Sequence, residues 1–313
     1  MHLNSFVTQF WPSTIDGLTL GSIYALFALG YTLVYGVLKL INFAHSEVFM
    51  VGTFFSLFLL HDLGVSGGRT GFALVGVLLL CLVAAVVGSG ATAVLLERVA
   101  YRPLRRRGAT RLAALISAIG ASFFLQEVFG NFYSRQYSNF PRVLHRTVLF
   151  HVGGGAVTND DAIVIMAGLI MMVALERTVA ITRLGRGIRA VAQDPETATL
   201  MGVNIDRTIL YTFLLGGIMA GVAATLWGLH FEQTRFDIGF LPGIKAFTAA
   251  VLGGIGNIRG ALVGGLVIGL LELYGASIFG SEWRDPTVFV VLVAVLILRP
   301  TGLLGEALSR ARA

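Results

Sequence analysis

Four polar residues, Asn42, His45, Ser46 and Glu47, open an apolar run that continues to Leu60. Asn42 stands three and four residues before His45 and Ser46, the spacing of one helical face, with Glu47 beside them. Such a face is costly against lipid, so it must look into a cavity or onto another helix. Two roles fit. One is a helix opening whose hydrogen bonds pin it to its neighbour, and the other is the wall of a path for a polar solute. Metal binding does not fit: His45 has no histidine four residues on, and Cys81 is the only cysteine. Glu47, Glu127 and Glu272 are the acids that would partner a proton or sodium ion. For Glu127 and Glu272, a span end or a hydrogen bond inside a bundle is the favoured reading, and Glu176 next to Arg177 reads as an interfacial charge. No catalytic residue emerges.

Movement of a solute needs energy. A phosphate-binding loop of the form G-x-x-x-x-G-K-[ST] is absent, since Lys39 and Lys245 are the only lysines and neither sits in that pattern. Energy must come from an ion gradient or from another chain. The second segment of interest runs from Thr182 to Thr208 and points to the latter. Asp194 is a good N-cap, Pro195 suits the first helical turn, and Glu196 puts negative charge near the positive end of the helix dipole. Gly202 supplies a left-handed stop. The spacing predicts a helix of about two turns, too short to stand alone in water. A third segment, Gly253, Gly254 and Gly256 followed by Asn257, reads as a helix break: either a tight packing point or an opening in a path.

The elements that carry these segments are apolar spans. Of 313 residues, 56% are hydrophobic and 13% charged, with mean hydropathy +0.81; a soluble domain carries about 25% charged residues. The fold class is therefore an all-α polytopic membrane protein, because lipid-exposed backbone must satisfy its own hydrogen bonds and the runs are too long for barrel strands. Spans are expected at 15–37, from 42 to 60, and at 71–96, 112–130, 162–181, 209–229, 261–278 and 287–298. The run 246–255 is short enough to be a re-entrant half-helix, so eight or nine spans are expected in a single domain, 1–313. The net charge of +6 resides in loops beside spans, which excludes a nucleic-acid stripe and instead sets topology. Arg98 to Arg111, the loop of Arg183, Arg186, Arg189 and Arg207, and the tail with Arg310 and Arg312 belong in the cytoplasm, with the N-terminus outside. A turn is expected at Gly153–Gly155 in the long connection after the fourth span.

Three segments together resemble the permease subunits of branched-chain amino acid ABC transporters, the LivH type. They are GLTLGSIYALFALGYTLVYGVLKLINFAHSEVFMVG (17–52), GRGIRAVAQDPETATLMGVN (185–204) and GIKAFTAAVLGGIGNIRGALVGG (243–265). The resemblance implies an inner-membrane importer with a second related permease or a second copy, two ATPase subunits that hold ATP and Mg, and an external substrate-binding protein. This chain would bind no cofactor. The segment containing Arg189, Asp194 and Pro195 corresponds to the cytoplasmic coupling loop, with Glu196, Ala198 and Gly202 where its Glu-Ala-Ala and Gly signature falls. Thr197 interrupts that signature. Asn42 to Glu47 becomes a stretch of the solute path, with Ser46 where the family commonly has glycine. Related permeases move urea, amides and other small polar solutes. The absence of the extra length common in urea-type permeases favours amino acids.

Overall fold

The computed structural model describes residues 3–65, 67, 71–133, 135–299 and 301–305; Arg310 and Arg312 lie outside them. Helix α1, Leu3–Leu38, forms the axis, and 94% of its most apolar window is buried by protein. Around it pack α6 (Asn159–Ile181), α9 (Ile205–Phe231), α10 (Phe240–Gly253) and α11 (Ile258–Phe279). The closest approach is to α11. A Cβ on Gly265 would lie 2.5 Å from Ala25 Cα, and one on Gly269 would run into the Gly17 carbonyl. In an apolar solvent, helices hold together by such close backbone packing rather than by hydrophobic exclusion.

After α1 the chain does not simply turn at the surface. Lys39 adopts φ 52°, and the backbone folds back into the protein through a tight turn. His45 N–H, Ser46 N–H and Glu47 N–H bond to carbonyls three residues earlier, at Asn42, Phe43 and Ala44. Helix α2, His45–Asp62, therefore begins beside Phe27 and Tyr31, well inside the run of α1. Asn42 lies in the turn rather than on the helical face its spacing suggests. Helix α3, Gly71–Leu96, follows, then a π-helical turn at Glu97–Tyr101, a short α4 at Arg102–Arg106, and α5 at Arg111–Phe132. At the opposite end, β2 (Val148–Val152) and β3 (Gly155–Thr158) form a hairpin turning at Gly153 and Gly154, while β1 (Ser138–Asn139) pairs with β4 (Gln233–Thr234).

Among the described residues, six helices are long and apolar enough to cross a membrane: Thr8–Leu38, Gly71–Arg106, Arg111–Phe132, Asn159–Ile181, Ile205–Phe231 and Ile258–Phe279. That is fewer than the eight or nine expected, for physical reasons. Helix α2 carries His45 and Glu47 at one end and His61 and Asp62 at the other. Helices α10 and α12 (Arg284–Leu298) have 14 and 15 residues, about 21–23 Å against a hydrocarbon core of about 30 Å. Two helices turn apolar stripes outward. Leu79, Val83 and Val87 on α3 are exposed, as are Val290, Val293 and Ile297 on α12, each at helical spacing. Exposed apolar stripes of this kind suit lipid.

One end of the bundle carries a cluster of arginines. Arg102, Arg105 and Arg106 all donate to Asp206 at the start of α9, at 2.6–3.2 Å. Arg259 of α11 pairs with Glu176 of α6 at 2.5 Å, so Glu176 is an inter-helix partner at this end.

Replacing Gly265 by leucine forces α11 away from the α1 backbone. The purified protein is expected to lose at least about 1–3 kcal/mol of stability, the usual range for overpacking. Gly76, where an added Cβ would meet nothing within 4 Å, is the control. Thermal melting in detergent checks this: Gly265→Leu should melt well below wild type, and Gly76→Leu should melt at the wild-type temperature.

Candidate functional site

The turn at Lys39 delivers the polar segment to the interior, and each of its residues finds a separate task. The Asn42 side-chain carbonyl accepts from Tyr101 OH at 2.7 Å, tying the turn to the π-helical stretch after α3. His45 is 2% exposed and lies between aromatic rings, 4.8 Å from Tyr31 and 5.3 Å from Phe27 by centroid. A Cβ at Gly30 would collide with its Nε2, so α1 must be bare there. Glu47 is fully buried, and its Oε1 accepts from Gln126 Nε2 at 2.8 Å, Ser46 Oγ at 3.0 Å and Ser122 Oγ at 3.1 Å. Its Oε2 has no partner among the described residues.

These donors define cavity walls. Ser46 and Ser122 line a cavity of about 220 Å³ with Tyr31, Phe43, Phe240 and Ile244. Gln126 lines a larger one of about 670 Å³. Phe123 and Phe240 belong to both. Glu47 lines neither: it stands behind the wall and holds three wall residues, from α2 and α5, on a single oxygen.

Glu272 is also buried, at 1% exposure. It accepts from Tyr24 OH and Lys245 Nζ, both at 2.9 Å, and from Arg284 Nε at 2.5 Å. Lys245 reaches Asp285 as well, at 2.5 Å. Sequence reasoning singled out Glu272 but missed Lys245, Arg284 and Asp285. One signal was available: Lys245 is one of two lysines and sits in an apolar helix. Glu127 pairs instead with Arg135 at the surface.

The glycine break lies elsewhere. Gly253 closes α10, Gly254 and Gly256 take φ 105° and 97°, and Asn257 caps α11 by accepting from Arg259 N at 3.0 Å and Gly260 N at 3.2 Å. Leu303 N and Leu304 N bond to the carbonyls of Leu252 and Gly253 at 2.7 and 3.0 Å, so the chain after α12 is sewn onto the break. Gly256 and Asn257 line a third cavity, about 770 Å³, with Lys39, Glu176 and Arg189 at the arginine-rich end. The break and the Asn42–Glu47 segment therefore do not meet in one cavity.

The segment 182–208 holds two helices where one was expected. Helix α7, Arg183–Gln193, begins at Thr182, whose hydroxyl accepts from Gly185 N at 3.0 Å. It buries Gly185, Ile188 and Val191, a three-residue stripe that its sequence shows at helical spacing. Arg189 donates to the last carbonyls of α6, at Val179 and Ala180. That is a favourable place for a cation, and it turns this arginine inward. Asp194 then ends α7 and caps α8, Pro195–Leu200, accepting from Glu196 N at 3.0 Å and from the Thr197 hydroxyl. These donors, Thr197 foremost, hold the Asp194 carboxyl below its usual range. Gly202, at φ 82°, closes α8 with a double bond pattern. Val203 N reaches Ala198 O at 3.0 Å and Gly202 N reaches Thr199 O at 2.9 Å. Ala198 packs inward at 3% exposure, whereas Leu200 and Met201 are 87% and 79% exposed.

Glu47→Ala leaves Ser122 and Gln126 without their shared acceptor, while the Ser46 hydroxyl keeps the Phe43 carbonyl at 2.6 Å; the cost is about 1–3 kcal/mol for an unsatisfied buried group. Glu47→Gln keeps one carbonyl oxygen there. Melting midpoints are expected in the order wild type, Gln, Ala, and an alanine variant as stable as wild type would show that the shared oxygen anchors nothing.

Comparison with known sequences agrees with this architecture. The family described as branched-chain amino acid transport system / permease component matches residues 13–298. The chain is 41% identical over 300 residues to the high-affinity branched-chain amino acid transport system permease protein LivH of Escherichia coli (strain K12), covering 95% of this chain and 96% of that protein. It is 40% identical over 303 residues to the corresponding permease protein BraD of Pseudomonas aeruginosa, covering 96% and 97%. A probable LivH of Methanocaldococcus jannaschii is 28% identical over 294 residues, covering 91% and 89%. A match over nearly the whole chain at this identity makes the protein a member of the branched-chain amino acid transport permease family.

Proposed function

We propose that this chain is the membrane-spanning permease subunit of an ATP-driven importer of branched-chain amino acids, and that it performs no catalysis itself. The observation that carries the reading is the 41% identity over 95% of the chain to a permease named for that transport. It works as one permease domain, 1–313, in a bacterial inner membrane. The arginine-rich end faces the cytoplasm, with the N-terminus outside. Its partners are a second permease or a second copy, two ATPase subunits that bind ATP and Mg, and an extracytoplasmic substrate-binding protein.

The physical support for an ATPase partner lies in α8. Helix α8 is capped at both ends yet shows Leu200 and Met201 to solvent. It is attached through α7 to α1, α6 and α9. A groove on an ATPase that grips α8 moves those helices, and alternating access follows only if the two permease states hold α8 differently. Ser46, Ser122 and Gln126 face the solute, with Glu47 as their anchor.

Uptake of leucine by membrane vesicles reconstituted with all subunits tests this reading. Import should need ATP; sustained import in vesicles holding a proton gradient without ATP would replace it with an ion-coupled carrier. Preferential uptake of urea or an amide would keep the mechanism and change the substrate. Asp194→Ala should lower ATP-dependent uptake several-fold, and Asp194→Asn should restore most of it, because asparagine also caps. Since the Asp194 carboxyl titrates below the ordinary carboxylate range, the cap is charged above that range and lost only as pH falls through its lowered pKa. The deficit of the alanine variant is therefore expected to be flat between about pH 5 and 8. A deficit that vanished toward pH 8 would show that it does not come from the cap.

A further inference from the structure

The cavity of about 670 Å³ carries six charged residues on its wall: Arg235 and Asp237, which pair with each other ahead of α10, and a second set of four, Lys245 of α10, Glu272 of α11, and Arg284 and Asp285 at the start of α12. The four are layered. Lys245 and Glu272 have side chains only 7% and 1% exposed and pair with each other at 2.9 Å. In front of them, Arg284 and Asp285 are 41% and 45% exposed. Each front residue is backed by an opposite buried charge: Arg284 Nε donates to Glu272 at 2.5 Å, and Lys245 Nζ reaches Asp285 at 2.5 Å. The terminal nitrogens of Arg284 make no hydrogen bond among the described residues. The rest of the wall includes Leu20, Phe123, Trp227, Phe231 and Leu241.

A buried ion pair that served only to join helices would gain nothing from a second, half-exposed pair held open in a cavity, because exposed pairs contribute little. A front pair of opposite charges beside an apolar wall has the chemistry of a free amino acid. We propose that Arg284 and Asp285 form a transient binding site for the zwitterionic end of an apolar amino acid on its way through the permease; this rests on the amino-acid import reading above. The α-carboxylate bonds to the terminal nitrogens of Arg284, whose planar fork suits a carboxylate. The α-ammonium takes the Asp285 carboxylate in place of Lys245. Lys245 remains neutralised by Glu272, so the exchange strands no buried charge. The apolar wall receives the side chain. Because the incoming ammonium displaces the Lys245 contact already present at Asp285, binding stays weak enough for release.

The test uses the complete importer in proteoliposomes with ATP inside. Arg284→Gln and Asp285→Asn should each lower the maximal rate of leucine uptake about tenfold or more, the scale of losing one charged hydrogen bond. The KM, set by the binding protein, should stay unchanged, with normal co-purification of the ATPase subunits. Arg284→Lys, which keeps charge but loses the fork, should fall between. In parallel, photo-leucine, whose diazirine sits on the side chain, is irradiated with wild-type complex, and its adducts should map to Phe123, Trp227 or Phe231. Wild-type rates in both neutral variants, or adducts confined to other walls, overturn the site while leaving import intact. Wild-type complex that imports no leucine overturns the import reading and the site with it. A variant that loses the ATPase subunits shifts the decision to the photo-leucine map, which needs no substitution.

Discussion

A polar group inside an apolar bundle has no water to fall back on, and this constraint governs where the helices of this protein begin and end. The turn at Lys39 is the case on which most else depends. It returns the chain into the protein before α2 starts, so Asn42, His45, Ser46 and Glu47 must all be accommodated in the interior. Asn42 is met by Tyr101, and Glu47 by donors from its own helix and from α5. That arrangement explains why α5, which exposes large residues such as Ile116 and Phe124, is nevertheless tied to α2 by Ser122 and Gln126. The cavities then open where those ties leave space between α2, α5 and α10.

Much of this was legible in the sequence, and what was not has identifiable causes. The caps of α8 were readable because Asp194, Pro195 and Gly202 act on their own backbone within a few residues. The polar character of 42–47 was readable as an expense that needed compensation, but not as a turn followed by a helix. The spacing of Asn42 to His45 and Ser46 suits both a helix and a chain of i to i+3 bonds. Helix α7 was masked by its composition: three arginines and two glycines in eleven residues look like a loop until the stripe of Gly185, Ile188 and Val191 is set against α1 and α9. The partners of Glu272 lie 248 residues before it and 27 and 12 residues away, distances at which no local pattern operates.

The placement of the glycine break shows how the same residue type serves two ends. Between α1 and α11, glycines admit a neighbouring backbone, and their role is absence of bulk. At Gly254 and Gly256 the role is conformational, since both have positive φ and allow α10 to end and α11 to begin within four residues. Sequence spacing reads the two alike. Structure separates them, because the break is joined to residues 303 and 304 and to a cavity containing Lys39 and Arg189.

That location matters for how a push on α8 would travel. Arg189 fastens α7 to the last carbonyls of α6, and α6 is fastened to the first turn of α11 by Glu176 and Arg259. Helix α11 in turn packs along α1 at backbone distance, so it cannot shift without α1. At its far end Glu272 holds Lys245 on α10 and Arg284 on α12. The arginine-rich end is thus joined to the charged wall of the 670 Å³ cavity by ion pairs at both ends of α11. The linkage is made of discrete contacts that are either kept or broken, which is what a two-position switch requires.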